Sequence, residues 1–170
     1  MRCQDFLLPA AIFFRFGNVL HSVSENGINI SDKKWFEKEN GRMIFIIGGA
    51  YQGKEAFAKK LLGNSAAEST WADGRVVPLS HISEYQVITH FHEAIRRMMQ
   101  EHINPESVIH ELLLEKPSMV FLMDEIGYGV VPMDAQDREY REAVGHAGQL
   151  LARHAKQVYR VICGIGTPIK

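Results

Sequence analysis

Two cysteines, no excess of either charge and no apolar run of membrane length leave few specialised architectures open to this sequence. Cys3 and Cys163 are too few for a disulfide framework and suit a reducing compartment. A formal charge of −1 lacks the electrostatic footprint of a nucleic-acid binder, so no nucleic-acid partner is expected. The most apolar part of the N-terminus, Phe6 to Phe16, is about half the ~20 residues of a membrane helix and is broken by Pro9 and Arg15. Its flanks make a poor signal peptide. The expectation is no membrane span and a cytoplasmic protein. No Cys/His cluster has metal-ligand spacing, and there is no internal repeat. What is present is 170 residues, enough for one domain with its own core.

Residues 1–42 are polar and turn-rich, with Asn26-Gly27, Ser31-Asp32 and Lys38-Glu39-Asn40-Gly41, and no period persists. The expectation is an accessory extension or a non-native start, with the domain proper spanning 43–170. The alternative is a helix from Leu7 to Phe16 docked on that domain.

From Met43 the chain alternates between strand-like and helix-like segments. Met43 to Ile47 reads as a strand, followed by a glycine-rich turn and a helix ending near Gly63. Asn64 to Gly74 reads as loop, and Arg75-Val76-Val77 as a short strand stopped by Pro78. Ser83 to Gln86 resembles a capping box. Ile88, Phe91, Ile95, Met98 and His102 then recur at helical steps. Asn104-Pro105 predicts a second helix start and Pro117 its end. Met119 to Met123 reads as a strand buried on both faces. Asp134 caps a long helix with Tyr140, Val144, Ala147, Leu151 and Ala155 inward. Val158 to Cys163 is a last strand, closed by Gly164 and Gly166. This alternation predicts a three-layer α/β domain on a mostly parallel sheet.

The turn Gly48-Gly49-Ala50-Tyr51-Gln52-Gly53-Lys54-Glu55 lies between strand and helix, where backbone N–H groups cradle phosphates and a lysine reaches the terminal ones. All eight residues are therefore candidates for nucleotide binding. A tight turn needing glycine for backbone reasons alone is the alternative. Lys54 argues against it, because a cation at a helix N-terminus is unfavourable without an anion nearby. Glu55 stands where a magnesium-binding hydroxyl is usual. It either faces the phosphates with a magnesium ion between or points away as a first-turn acid, and the second reading is slightly favoured. Asp124-Glu125 ends another strand, at the sheet edge where ligands gather. Either acid can hold magnesium or orient a nucleophile there. A loop acid is the alternative.

Glu125-Ile126-Gly127-Tyr128-Gly129-Val130-Val131-Pro132 resembles the Glu-Val-Gly-x-Gly-Ile-Val-Pro signature of the adenosylcobinamide kinase/adenosylcobinamide-phosphate guanylyltransferase family. Gly164-Ile165-Gly166-Thr167-Pro168-Ile169-Lys170 is similar to that family's terminus, and Gly48-Gly49-Ala50 with Gly53-Lys54 to its loop. The resemblance is good over Met43–Lys54 and Met119–Lys170 and poor from about Leu62 to Lys116. It implies a P-loop NTPase fold with RecA-like strand order, a magnesium ion, and ATP or GTP as substrate. It also implies two reactions. Adenosylcobinamide is phosphorylated, and GMP is then transferred from GTP to the phosphate through a histidine. A small ring, a homotrimer, is implied as well. Two departures stand out. Glu55 replaces the loop's Ser, and Thr70-Trp71-Ala72-Asp73-Gly74-Arg75 lacks the histidine that receives GMP in the family's His-His-Lys-Asp-Gly-Arg.

A substitute carrier must be a neutral imidazole near the α-phosphate. On a helical reading His92 lies at the edge of the apolar stripe and His90 further into solvent. Arg96 is one turn after His92, with fork geometry for phosphate. His92 is thus the candidate GMP acceptor, with Lys54 and Glu125 as the other catalytic candidates. A boundary histidine satisfied by packing and water is the competing reading.

Overall fold

Successive residues of the first strand face opposite sides of a sheet, and both sides are covered. The computed structural model describes residues 43–63, 70–130 and 132–170, all within the second of two units, Lys33–Lys170. The expectations for residues 1–42, including the Leu7–Phe16 helix, lie outside the described residues. Strand β1 is Ile44–Gly48, followed by helix α1, Lys54–Leu62. Strands β2 (Trp71–Asp73) and β3 (Val87–Thr89) precede helices α2 (Phe91–Gln100) and α3 (Pro105–Glu115). Strand β4 (Val120–Asp124), helix α4 (Ala135–His154) and strands β5 (Gln157–Ile162) and β6 (Ile165–Pro168) complete the order.

The sheet runs β2-β3-β4-β1-β5-β6, parallel throughout except for the antiparallel β5–β6 hairpin at its edge. Phe45, Phe121 and Met123 join one core with α2, α3 and α4; Ile46, Val120 and Leu122 join another with Ala58 of α1. This division is the alternation expected of strands buried on both faces. It produces the three layers predicted.

Several expectations are corrected. Val87-Ile88-Thr89 is a strand, not the start of a helix. These β-branched residues are buried between β2 and β4, where they pack better than against a helical turn. The helix begins at Phe91, and a short 3-10 turn, Leu79–Glu84, stands in place of its expected N-terminus. The second strand is Trp71–Asp73 rather than Arg75–Val77. The latter residues turn back, with the Val76 and Val77 N–H groups bonded to the Asp73 carbonyl at 3.1 and 2.9 Å. Gly164 and Gly166 do not end the sheet. Gly164 sits in the hairpin turn and Gly166 lies in β6.

The two helix starts read from caps form as expected. Asn104 Oδ1 accepts from the Glu106 and Ser107 N–H groups at 2.9 and 3.4 Å, and Asp134 Oδ1 from Gln136 at 2.9 Å. Each satisfies helix donors that would otherwise lack partners. Tyr140, Val144, Ala147, Leu151 and Ala155 are all buried against the sheet. Among the described residues no helix is long and apolar enough to cross a membrane.

Candidate phosphate-binding site

The carboxyl ends of β1, β4, β3 and β2 lie along one edge of the sheet, and chemically active side chains gather there. Gly48 pairs with Asp124, and Asp73 with Thr89, so register alone places the two aspartates on this edge. The turn after β1 returns into α1 through Gly53, whose φ of 83° is the left-handed conformation that glycine adopts without strain. Ala50 and Tyr51 are at the exposed tip. The Gln52 side chain reaches back to the β5–β6 turn and accepts from the Cys163 N–H at 2.7 Å. Its own carbonyl accepts from the Gly164 N–H at 2.8 Å.

Lys54 opens α1 and is nearly buried, its side chain 10 % exposed. Its Nζ donates to the Gly49 carbonyl at 2.8 Å and pairs with Asp124 Oδ1 at 2.6 Å. A cation at the positive end of a helix is thus held by an anion, as the helix dipole requires. Asp124 in turn donates its backbone N–H to His92 Nδ1 at 3.2 Å. Glu55 is half exposed, with Oε1 3.9 Å from His90 Nδ1.

Glu125 is turned to the other side of β1. Its carboxylate meets Arg160 of β5, with Nη2 donating to Oε2 at 2.9 Å and Nε 2.8 Å from Oε1. Arg160 Nη2 also lies 3.2 Å from the Tyr128 hydroxyl. Behind it, Arg141 of α4 donates to the carbonyls of Gly127 and Val130, and Arg138 to those of Pro132 and Met133. The glycine-rich segment is thereby fastened by its backbone, leaving Tyr128, Val130 and Met133 exposed.

His92 is not at the edge of the stripe but buried, at 6 % exposure. The Asp124 N–H occupies Nδ1, so Nε2 carries the proton, 3.5 Å from Glu93 Oε1 and 3.8 Å from Asp124 Oδ2. Burial holds its pKa below the usual histidine value, against the pull of Asp124 and Glu93. Arg96 stacks over the Tyr140 ring at 4.0 Å, with its Nε 3.6 Å from Glu93 Oε2. Tyr140 donates to the His92 carbonyl at 3.1 Å, and burial raises its pKa to about 12.

The carboxylates differ in fitness for magnesium. The ion needs one or two carboxylates beside substrate phosphates. Asp124 Oδ2 lies 3.8 Å from His92 Nε2 while Oδ1 takes the Lys54 cation, so Asp124 fits the ion once Lys54 turns to a phosphate. Glu125 has both oxygens against Arg160, so it does not fit without releasing that cation. Among the described residues no group of three or more His, Cys, Asp or Glu could hold a metal ion by itself.

Sequence reasoning gathered Lys54 and Asp124, which the structure brings together. It missed Arg160, whose signal was a lone cation inside the apolar run Val158–Ile162, and the grip of Gln52 on the hairpin.

This arrangement is an α/β protein with a mostly parallel sheet and a glycine-rich turn between its first strand and helix. A family model, cobinamide kinase / cobinamide phosphate guanyltransferase (CobU), matches residues 79–169, just over half of the chain. The chain belongs to this family. It is 35 % identical over 74 residues to the bifunctional adenosylcobalamin biosynthesis protein CobU of Escherichia coli K12, covering 42 % of this chain and 41 % of the relative. To the protein of the same description from Salmonella typhimurium LT2 it is 38 % identical over 52 residues, covering 31 % and 29 %. The chain thus spans less than half the length of these curated relatives.

Proposed function

We propose that this chain binds a nucleoside triphosphate in the Gly48–Glu55 turn and transfers its terminal phosphoryl group to the hydroxyl of adenosylcobinamide. The observation that carries this reading is the Lys54–Asp124 pair, a buried cation at the start of α1 facing the end of the neighbouring strand. The strand order, with β1 between β4 and β5 and β3 beyond β4, supports a RecA-like P-loop assignment. Phosphate oxygens would take the place of Asp124 at Lys54 and accept from the N–H groups that open α1. Lys54 then stabilises charge moving to the leaving oxygen. Asp124, released, would hold magnesium directly or through water, and the ion would supply charge neutralisation at the phosphates.

Glu125 acts in this reading through Arg160, by fixing the segment that follows it. Arg96, engaged with Tyr140 and Glu93, supports the His92 backbone rather than a phosphate.

The second reading adds GMP transfer through His92. It requires the ring to give up the Asp124 N–H, because neutral His92 has no nitrogen lone pair to spare. That favours the kinase step alone. Calorimetry with ATP and GTP, followed by turnover with and without cobinamide, tests the proposal. Binding without cobinamide-dependent turnover would leave a nucleotide-binding module. An acid-labile adduct from labelled GTP, lost in His92→Ala, would restore the second reaction.

A further inference from the structure

We infer that His90, oriented by Thr89 and Asp73, is the proton acceptor for the attacking hydroxyl at this sheet edge. The inference deepens the phosphoryl-transfer reading and rests on it. His90 joins β3 to α2 in a left-handed conformation, φ 49° and ψ 40°, which is uncommon for a residue with a side chain. Such backbone conformations persist where the surroundings impose them. Here the β2 exit does so. The Gly74 N–H donates to the Thr89 carbonyl at 2.8 Å, and a β-carbon on Gly74 would strike the carbonyl oxygens of both Thr89 and His90. Only glycine lets the Asp73–Arg75 turn lie this close, and that closeness puts the Asp73 carboxylate beside the imidazole.

The hydrogen bonds select the tautomer. Thr89 Oγ1 donates to the Ala72 carbonyl at 3.3 Å, so its lone pairs face His90 Nδ1, also at 3.3 Å. Asp73 Oδ1 lies 3.3 Å from the same nitrogen. An oxygen with its proton committed elsewhere and a carboxylate both require a hydrogen on Nδ1. The lone pair therefore resides on Nε2, which meets no hydrogen-bond partner among the described residues. The side chain is 28 % exposed. Asp73 stays ionised. Burial raises its pKa, but hydrogen bonds from Arg75 and the nearby His90 outweigh it and leave it lowered.

The charged and titratable groups around this ring come from three elements. Asp73 and its partner Arg75 lie at the β2 exit, Glu55 in the first turn of α1, and His92 in α2 with its ring centroid 6.0 Å away. Glu55 follows Lys54 directly, so His90 borders the phosphate turn. His92, by contrast, has its Nδ1 lone pair occupied. Of the two histidines only His90 offers a free base.

In the step, the acceptor hydroxyl oxygen bonds to the γ-phosphorus as its proton passes to His90 Nε2. The bond from γ-phosphorus to the β,γ-bridging oxygen breaks, and its electron pair leaves with the nucleoside diphosphate. The proton on His90 returns to solvent. Asp73 is a positioning residue, holding Nδ1–H and stabilising the imidazolium.

His90→Asn is the informative variant, because asparagine tolerates the left-handed backbone and has no basic nitrogen. It is expected to bind ATP within threefold of wild type by calorimetry, and to lose about 10²–10⁴-fold in cobinamide-dependent turnover. His90→Gly, which also fits the backbone, is expected to regain activity with added imidazole. Asp73→Asn is expected to lower kcat with little change in KM and to shift the acidic limb of the kcat profile. Turnover of His90→Asn within threefold of wild type, or no imidazole rescue, overturns the inference. If wild type binds ATP but ignores cobinamide, the acceptor assignment falls, and slow hydrolysis by water decides the role of His90. Hydrolysis equal in wild type and His90→Asn, or absent in both, then overturns this inference too.

Discussion

Removing Lys54 separates two quantities, the stability held by its ion pair and the triphosphate affinity proposed for it. In Lys54→Met, Asp124 keeps its carboxylate but loses its partner at 2.6 Å, in a site where the two side chains are 10 % and 18 % exposed. Breaking a buried pair by deleting one member costs about 3–5 kcal/mol. Partial solvent access puts this site at or just below the bottom of that range, about 2–3 kcal/mol. Lys54→Met/Asp124→Asn removes the stranded charge and is expected to recover most of the loss in urea denaturation.

Affinity responds differently. A cation about 4 Å from a phosphate oxygen is worth roughly 4 kcal/mol at an effective dielectric near 20. Wild type must first surrender Asp124, so the net loss in Lys54→Met is smaller, about ten- to a hundredfold in Kd. Asp124→Asn removes the competing anion, so magnesium-free ATP is expected to bind it more tightly than wild type. Calorimetry with and without magnesium measures both. Lys54→Met binding ATP like wild type, or Asp124→Asn binding magnesium-free ATP more weakly, would refute the exchange of one anion for another at Lys54.

Other outcomes follow from single contacts. Gln52→Ala takes the acceptor from the Cys163 N–H and is expected to cost about 1 kcal/mol in denaturant unfolding; no change would mean that the hairpin does not depend on this bond. Arg160→Met strands Glu125, so a double-mutant cycle with Glu125→Gln should show favourable coupling, and strict additivity would dismiss the pair. Burial, assisted by His154, lowers the pKa of His110, so the unfolded chain binds its proton more readily than the folded one. Stability is therefore expected to fall as pH drops below 6.5, and to fall less steeply in His110→Asn; equal slopes in the two proteins would contradict it.

Much of this molecule is legible in its sequence. Strand β1, the turn after it and α1 carry a joint pattern of apolar run, glycines and a terminal cation that few other conformations satisfy. Asn104-Pro105 and Asp134 name their helices through capping chemistry, which is local. Strands β2 and β3 were not legible, because each is three residues long and Ile88 falls on the period of the helix that follows. Only tertiary burial between neighbours distinguishes the two states. The site divided similarly. Lys54 and Asp124 were visible from their places at an element start and a strand end. The burial of His92 depends on how the end of β4 covers α2, and the pairing of Glu125 with Arg160 depends on sheet register. Both are long-range facts that no window of sequence contains.

The hold of Gln52 on the β5–β6 turn gives the molecule a natural position for an optical probe. Cys163 is a free, exposed thiol in that turn, and its backbone N–H is bonded to the residue two positions before Lys54. With Cys3 replaced, an environment-sensitive fluorophore on Cys163 would sit outside the Gly48–Glu55 turn yet be coupled to it through the bonds from the Cys163 N–H to the Gln52 side chain and from the Gly164 N–H to the Gln52 carbonyl. Ligand-induced movement of the turn would then be followed as a change in emission, on the timescale of mixing and without a labelled nucleotide.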